Sequence, residues 1–139
     1  MTTKEYLQQI YIIKKKIHRL EQRIGIIEAE LYAAKTPQLN PDKVQSSVKD
    51  STDKMLILIS KHDELTKDIR SEINLLYDKR SKIMKEIEKV QDEQLRQILT
   101  ERYELCHTWE QIAVNMDVSV RYVYMLHGKA LQAFDKTRR

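Results

Sequence analysis

At 139 residues, with two glycines, two prolines and 33% charged side chains, the chain is the size of one domain plus a helical extension. It has too few turn formers for a sandwich, a barrel or a series of βα loops. Its single cysteine excludes an internal disulfide framework and fits a reducing, cytoplasmic setting, and no apolar run approaches a secretory signal or the roughly 20 residues of a membrane span, so no membrane partner is expected.

The first predicted element is a helix over residues 4–35. Tyr6, Ile10, Ile13, Ile17, Leu20, Ile24, Ile27 and Leu31 alternate spacings of four and three, a heptad seam with Gly25 outside it. Such a helix is about 48 Å long at 1.5 Å per residue, and its apolar stripe needs a partner. Residues 36–53 hold both prolines and many small polar residues, which predicts a linker. Val44 and Val48 allow a short helical turn there, and Ser51 or Thr52 is the expected cap of the next helix.

The second long helix is predicted over 53–90. Its seam runs through Met55, Ile59, His62, Thr66, Ile69, Ile73, Leu76, Arg80, Ile83, Ile87 and Val90, with three polar interruptions. Antiparallel pairing with the first helix is the simplest way to bury both stripes, although pairing between chains satisfies the same pattern. Leu7, Tyr11, Ile12, Ile26, Tyr32, Leu56, Leu58, Leu75 and Met84 lie off the seams. They imply a second buried face, through self-association or packing on the C-terminal part.

Residues 92–105 predict a further helix with Leu95, Ile98, Leu99 and Tyr103 inward. Thr108-Trp-Glu-Gln111 is a capping box that opens the next helix, and Ser119 caps the last. Together Thr108–Leu131 reads as a helix-turn-helix. Ala113 occupies the crossing position, with Ile112, Met116, Val118, Val123 and Leu126 holding the helices together. Asp117 stands where a turn glycine is common and tolerates a left-handed backbone better than most residues. The fold class expected is therefore all-α. A long antiparallel helical hairpin or coiled coil (1–90, linker 36–53) precedes a helix-turn-helix domain (91–139).

Charge is distributed unevenly over this plan. Residues 91–118 carry a net −4 and residues 119–139 a net +4, so the last helix and tail are basic. A helix-turn-helix places its second helix in the major groove, here 119–134, with its early residues on base edges. Those are Val120, Arg121, Tyr124 and Met125: Arg121 suits guanine O6/N7 and Val120 a thymine methyl. Ser119, Tyr122, His127 and Lys129 are assigned to backbone phosphates, and Lys136, Arg138 and Arg139 to sequence-independent affinity. Gly128, costly inside a helix, leaves room for a close backbone approach.

The segment 95–134 resembles region 4 of sigma-70-type factors. The shared elements are the L-x-x-I-L-x-x-R-Y lead-in, W-E-Q-I-A, the S-x-R-x-V opening of the recognition helix and the closing K-A-L. With its coiled N-terminal part, the chain looks like small phage-encoded proteins related to ArpU/RinA-type phage transcriptional regulators. The resemblance implies binding of double-stranded DNA, control of phage or prophage transcription in a bacterial cytoplasm, and RNA polymerase as a further partner. No region-2 element accompanies it.

Other chemistry finds no support in the residue pattern. His18, His62, His107 and His127 are scattered without metal-ligand spacing, and two glycines make no phosphate loop. Cys106 and His107 are neighbours without an orienting third group, so an inert or buried cysteine is expected. Lys14–Lys16 reads as a solvated face and Trp109 as core. No catalytic residue, metal or cofactor is expected, and the chain does not read as an enzyme. The seams predict a homo-oligomer, with a dimer reading two half-sites. A small-terminase-like DNA-packaging subunit and an RNA-polymerase-binding interaction protein are the rival readings.

Overall fold

A computed structural model describes residues 1–35 and 48–139. Among these the structure is entirely helical: α1 Thr3–Lys35, α2 Val48–Glu88, α3 Glu93–Leu99, α4 Trp109–Met116 and α5 Val120–Thr137. Most of the linker read over 36–53, Val44 included, lies outside the described residues. Its end is helical: α2 already runs from Val48, so Ser51 and Thr52 sit inside the helix instead of capping it. The described residues form two compact units, Met1–Lys16 with Leu76–Arg139, and Ile17–Leu75.

In the unit Ile17–Leu75 the two seams pair within the chain. Glu28 of α1 faces Arg70 of α2 at 3.2 Å, and Glu30 faces His62 at 3.8 Å, so the helices run antiparallel. Ile17, Leu20 and Ile27 of α1 and Thr66, Ile69 and Ile73 of α2 are all buried. Both side chains of the Arg70–Glu28 pair are more than half exposed, and such a pair contributes at most about 1 kcal/mol. Each buried isoleucine contributes about 1.5–3 kcal/mol, so the apolar seam holds the hairpin and the ion pairs only trim its register. Ile26, Leu56, Ile57, Leu65 and Leu75 remain exposed in this unit.

The other unit has a single core drawn from every helix. Leu7 and Ile10 of α1, Ile83 and Ile87 of α2 and Val90 share one cluster with Ile98, Leu99, Tyr103, Ile112, Val123, Leu126 and Phe134. The unit boundary therefore falls near residues 16 and 76 and not at 90. Its cause is local. Tyr6 donates to Glu86 at 3.0 Å and stacks 6.1 Å from Phe134, and Thr3 bonds Asp135 at 3.3 Å. This end of α1 is held by α2 on one face and by α5 on another. Leu7, off the heptad seam, is accordingly fully buried, whereas Tyr11, Ile12, Ile26, Tyr32, Leu56 and Leu75 are not.

Asp92 caps α3, accepting from Leu95 N at 3.1 Å. The helix then widens into one π-helical turn, Thr100–Glu104, closed by Leu105 N–H to Thr100 O at 3.0 Å. Both Glu101 and Tyr103 are buried in this turn. Cys106 follows with φ 58° and is exposed, so of the inert or buried thiol expected, the buried alternative does not hold. A Cβ at Gly25 or Gly128 would meet nothing within 4 Å. Gly25→Ala and Gly128→Ala are therefore each expected to raise stability, by about 0.5–1 kcal/mol, measured as a shift in the urea midpoint. A fall at either position would show that its helix is not regular there.

Candidate nucleic-acid interface

The interface is built on α4, a three-residue turn and α5. The capping box forms as the sequence requires: Gln111 N donates to Thr108 Oγ1 at 3.2 Å, and Thr108 N donates to Gln111 Oε1 at 2.8 Å. Asp117 ends α4 in the left-handed region (φ 55°, ψ 47°), and Val118 N–H closes the turn on Ala113 O at 3.0 Å. Ser119 caps α5 by accepting from Tyr122 N at 3.1 Å. Ala113 is buried between the helices with Ile112, Val123 and Leu126, and Met116, Val118 and Val120 close the edges.

A polar hub fixes the start of this motif. Glu101 is only 6% exposed, yet its carboxylate is fully used. It accepts from Asn115 of α4, from Gln97 at 3.1 Å, and faces His107 Nδ1 at 3.2 Å. The His107 N–H donates to Glu101 O at 2.8 Å. Arg102 donates to His107 O at 3.0 Å and lies 4.1 Å above the Trp109 ring. Trp109 in turn meets the rings of His127 at 4.7 Å and Tyr124 at 5.3 Å. A buried, fully bonded carboxylate resists loss of its partners, so the hub sets the angle at which α4 leaves the π turn.

The assigned residues separate into two groups. Arg121, Tyr122, Tyr124, Met125 and Lys129 are exposed along one side of α5. Gly128, Gln132 and Lys136 continue the same side. No ion pair engages Arg121, Lys129 or Lys136 among the described residues. Ser119 is exposed with its hydroxyl used as a cap, and Val120 is half-buried against the core, which limits its reach.

His127 does not belong with them. It is 9% exposed and shares a 2.7 Å hydrogen bond between Nε2 and the Tyr103 hydroxyl. Burial first, then the positive charges of Lys4 and Arg102, hold its pKa down to about 4. It is a neutral core residue, not a phosphate ligand. The four-residue step from Val123 to His127 places both on the inward face, a signal that lay in the spacing itself. Arg138 is also occupied: it pairs with Glu86 at 3.3 Å and lies 3.6 Å over the Tyr6 ring. Arg139 pairs with Asp135 at 3.2 Å.

Sequence reasoning missed Glu101, Asn115 and Arg102. Their side chains look like ordinary surface charge and amide; the π turn carries Glu101 inward, while Arg102 is half-buried and Asn115 stays exposed on α4 as it bonds Glu101. No group of three or more His, Cys, Asp or Glu side chains among the described residues is placed to hold a metal. No described helix is long and apolar enough to cross a membrane. The interface can make charge-assisted contacts through Arg121 and Lys129 and stacking or hydroxyl contacts through Tyr122 and Tyr124, on a helix whose position is fixed from beneath. Comparison of the chain with family models, curated proteins and solved structures finds no match.

Proposed function

We propose that this protein is a sequence-specific regulator of phage or prophage transcription that binds double-stranded DNA in a bacterial cytoplasm with α5 in the major groove. The observation that carries the reading is the exposed side of α5. Among the described residues no ion pair engages Arg121, Lys129 or Lys136, which stand there on a capped helix locked to α4 through a buried alanine. Unpaired cations on a rigid helix are what phosphate and base-edge contacts need. The likeness of residues 95–134 to sigma region 4 supplies the phage and transcription part, and RNA polymerase as a further partner.

Two copies reading two half-sites fit the exposed apolar residues of Ile17–Leu75, which offer a surface for self-association. Arg121→Ala is expected to weaken binding to a preferred duplex about 10- to 100-fold, the range of one good bidentate base contact, while changing binding to random duplex far less. Fluorescence anisotropy with both duplexes measures this. An equal loss on the two duplexes would reduce Arg121 to a phosphate contact, and no loss on either would remove α5 from the interface.

A further inference from the structure

A second basic feature lies in the same unit, away from the residues assigned to base edges. Lys4, Gln8 and Tyr11 of α1 face Arg102, Tyr103 and Cys106 across an open cleft of about 460 Å³. Among the described residues no carboxylate lines it. Neither Lys4 nor Arg102 has an ion-pair partner among the described residues. Arg102 is held in place by the Trp109 ring and by His107 O, so its remaining donors are pre-positioned. Lys15 sits 4.6 Å over the Tyr11 ring and adds a third cation to this edge.

The cleft borders α5. Tyr103, one of its walls, bonds His127, and Arg102 leads through Trp109 to the exposed Tyr124. Thr3, one residue before Lys4, bonds Asp135 on the same edge of α5. The field of the two cations is felt inside the unit: Lys4 and Arg102 both oppose protonation of His127.

We infer that the Lys4–Arg102 cleft is a phosphate-binding site, and that it receives a backbone phosphate of the duplex whose bases α5 reads. Lys4 and Arg102, with the Gln8 amide and the Tyr11 hydroxyl, form a donor set suited to a phosphodiester oxygen, and no acid lines the cleft among the described residues. The inference rests on the DNA-binding reading for the source of the phosphate, while the cleft itself would take the same group from a free anion. It makes α1 part of the binding surface and not only a partner of α2.

The test uses the full chain and the Lys4→Gln variant, with Lys35→Gln as a charge-matched control. Each is titrated with duplex DNA at several salt concentrations and, separately, with inorganic pyrophosphate, read through Trp109, the chain's one tryptophan. Lys4→Gln is expected to weaken binding to all duplexes by a similar factor, about 3- to 10-fold, and to lower the slope of log K against log salt by about one, the effect of one lost phosphate contact. Lys35→Gln is expected to leave the slope unchanged. Pyrophosphate is expected to give a saturable change in the wild type that Lys4→Gln weakens. If the wild type binds duplex and Lys4→Gln leaves affinity and slope intact, the cleft is not a phosphate site although the DNA reading stands. If the wild type binds no duplex, the DNA reading falls. The cleft is then upheld by a saturable pyrophosphate response lost in Lys4→Gln, and overturned by its absence.

Discussion

Replacing Phe134 by alanine is expected to destabilise the unit formed by Met1–Lys16 and Leu76–Arg139 by about 3–5 kcal/mol. That is a large share of the roughly 5–15 kcal/mol that holds a domain folded. Phe134 is fully buried, it is the largest side chain so enclosed, and its ring lies 6.1 Å from Tyr6 on α1. It joins the far end of α5 to the N-terminal helix, so the cavity left behind has walls from several helices and cannot collapse onto one neighbour. Urea denaturation followed through Trp109 gives the loss directly. Val114→Ala, on an exposed side chain of α4, serves as the comparison and is expected to change stability by less than about 0.5 kcal/mol. A Phe134→Ala loss below about 1 kcal/mol would mean that this end of α1 does not pack on α5.

Acid is expected to produce the second large effect, through His127. Its imidazole is buried between Tyr103 and Trp109, with Lys4 and Arg102 close enough to oppose a further positive charge. The folded pKa of about 4 lies below the ordinary value of 6.5. The unfolded chain therefore takes up the proton first. The stabilisation is complete above about pH 6.5 and is lost as the pH falls through that value towards 4. A gap of this size corresponds to about 3 kcal/mol below pH 4, of which about 2 kcal/mol is gone by pH 5. Carboxylates titrate in the lower part of this range, so the measurement is the difference between wild type and His127→Gln. The two stability curves are expected to converge as the pH falls from 7.5 to 4.5. Parallel curves would mean that the imidazole is accessible to solvent in the folded protein.

The effect bears on the interface because His127 lies under it. Trp109 touches both His127 and Tyr124, so charging the ring disturbs the support of an exposed residue assigned to base contact. The Glu101 hub works on the other end of the motif. It ties the π turn to Asn115 and His107, and with Thr108 and Ser119 it fixes where α4 and α5 begin. The proposed DNA binding depends on a helix held still from beneath by polar bonds and rings, presenting outward Arg121, Lys129 and Lys136, which no ion pair engages among the described residues.

Much of this was legible in the sequence because it is local. The heptad spacing of Tyr6 to Leu31 and of Met55 to Val90 identified both long helices. The capping box at Thr108–Gln111, the turn at Asp117 and the cap at Ser119 are written in three- and four-residue signals, and all three form as read. What was not legible depends on residues far apart in the chain. Leu7 belongs to a core completed by Phe134, and no periodicity in α1 reveals a helix that arrives 127 positions later. Glu101 reads as surface acid until one π turn rotates it inward. Lys4 and Arg102 become one feature only in the folded unit. His127 was misassigned for a different reason: its residue type suggested a phosphate contact, while its spacing from Val123 and Ala130 placed it in the core. In a short amphipathic helix, the periodicity outweighed the chemistry of the side chain.

Whether the exposed side of α5 reads duplex DNA, as proposed, is decided by selection from a random-sequence duplex pool. Wild-type protein is expected to enrich one sequence. It should bind that sequence at least about 1,000-fold more tightly than unselected duplex at the same salt, the usual margin of a specific site. No enriched sequence after repeated rounds, together with no duplex binding at about 50 mM salt, where phosphate contacts are strongest, would contradict it.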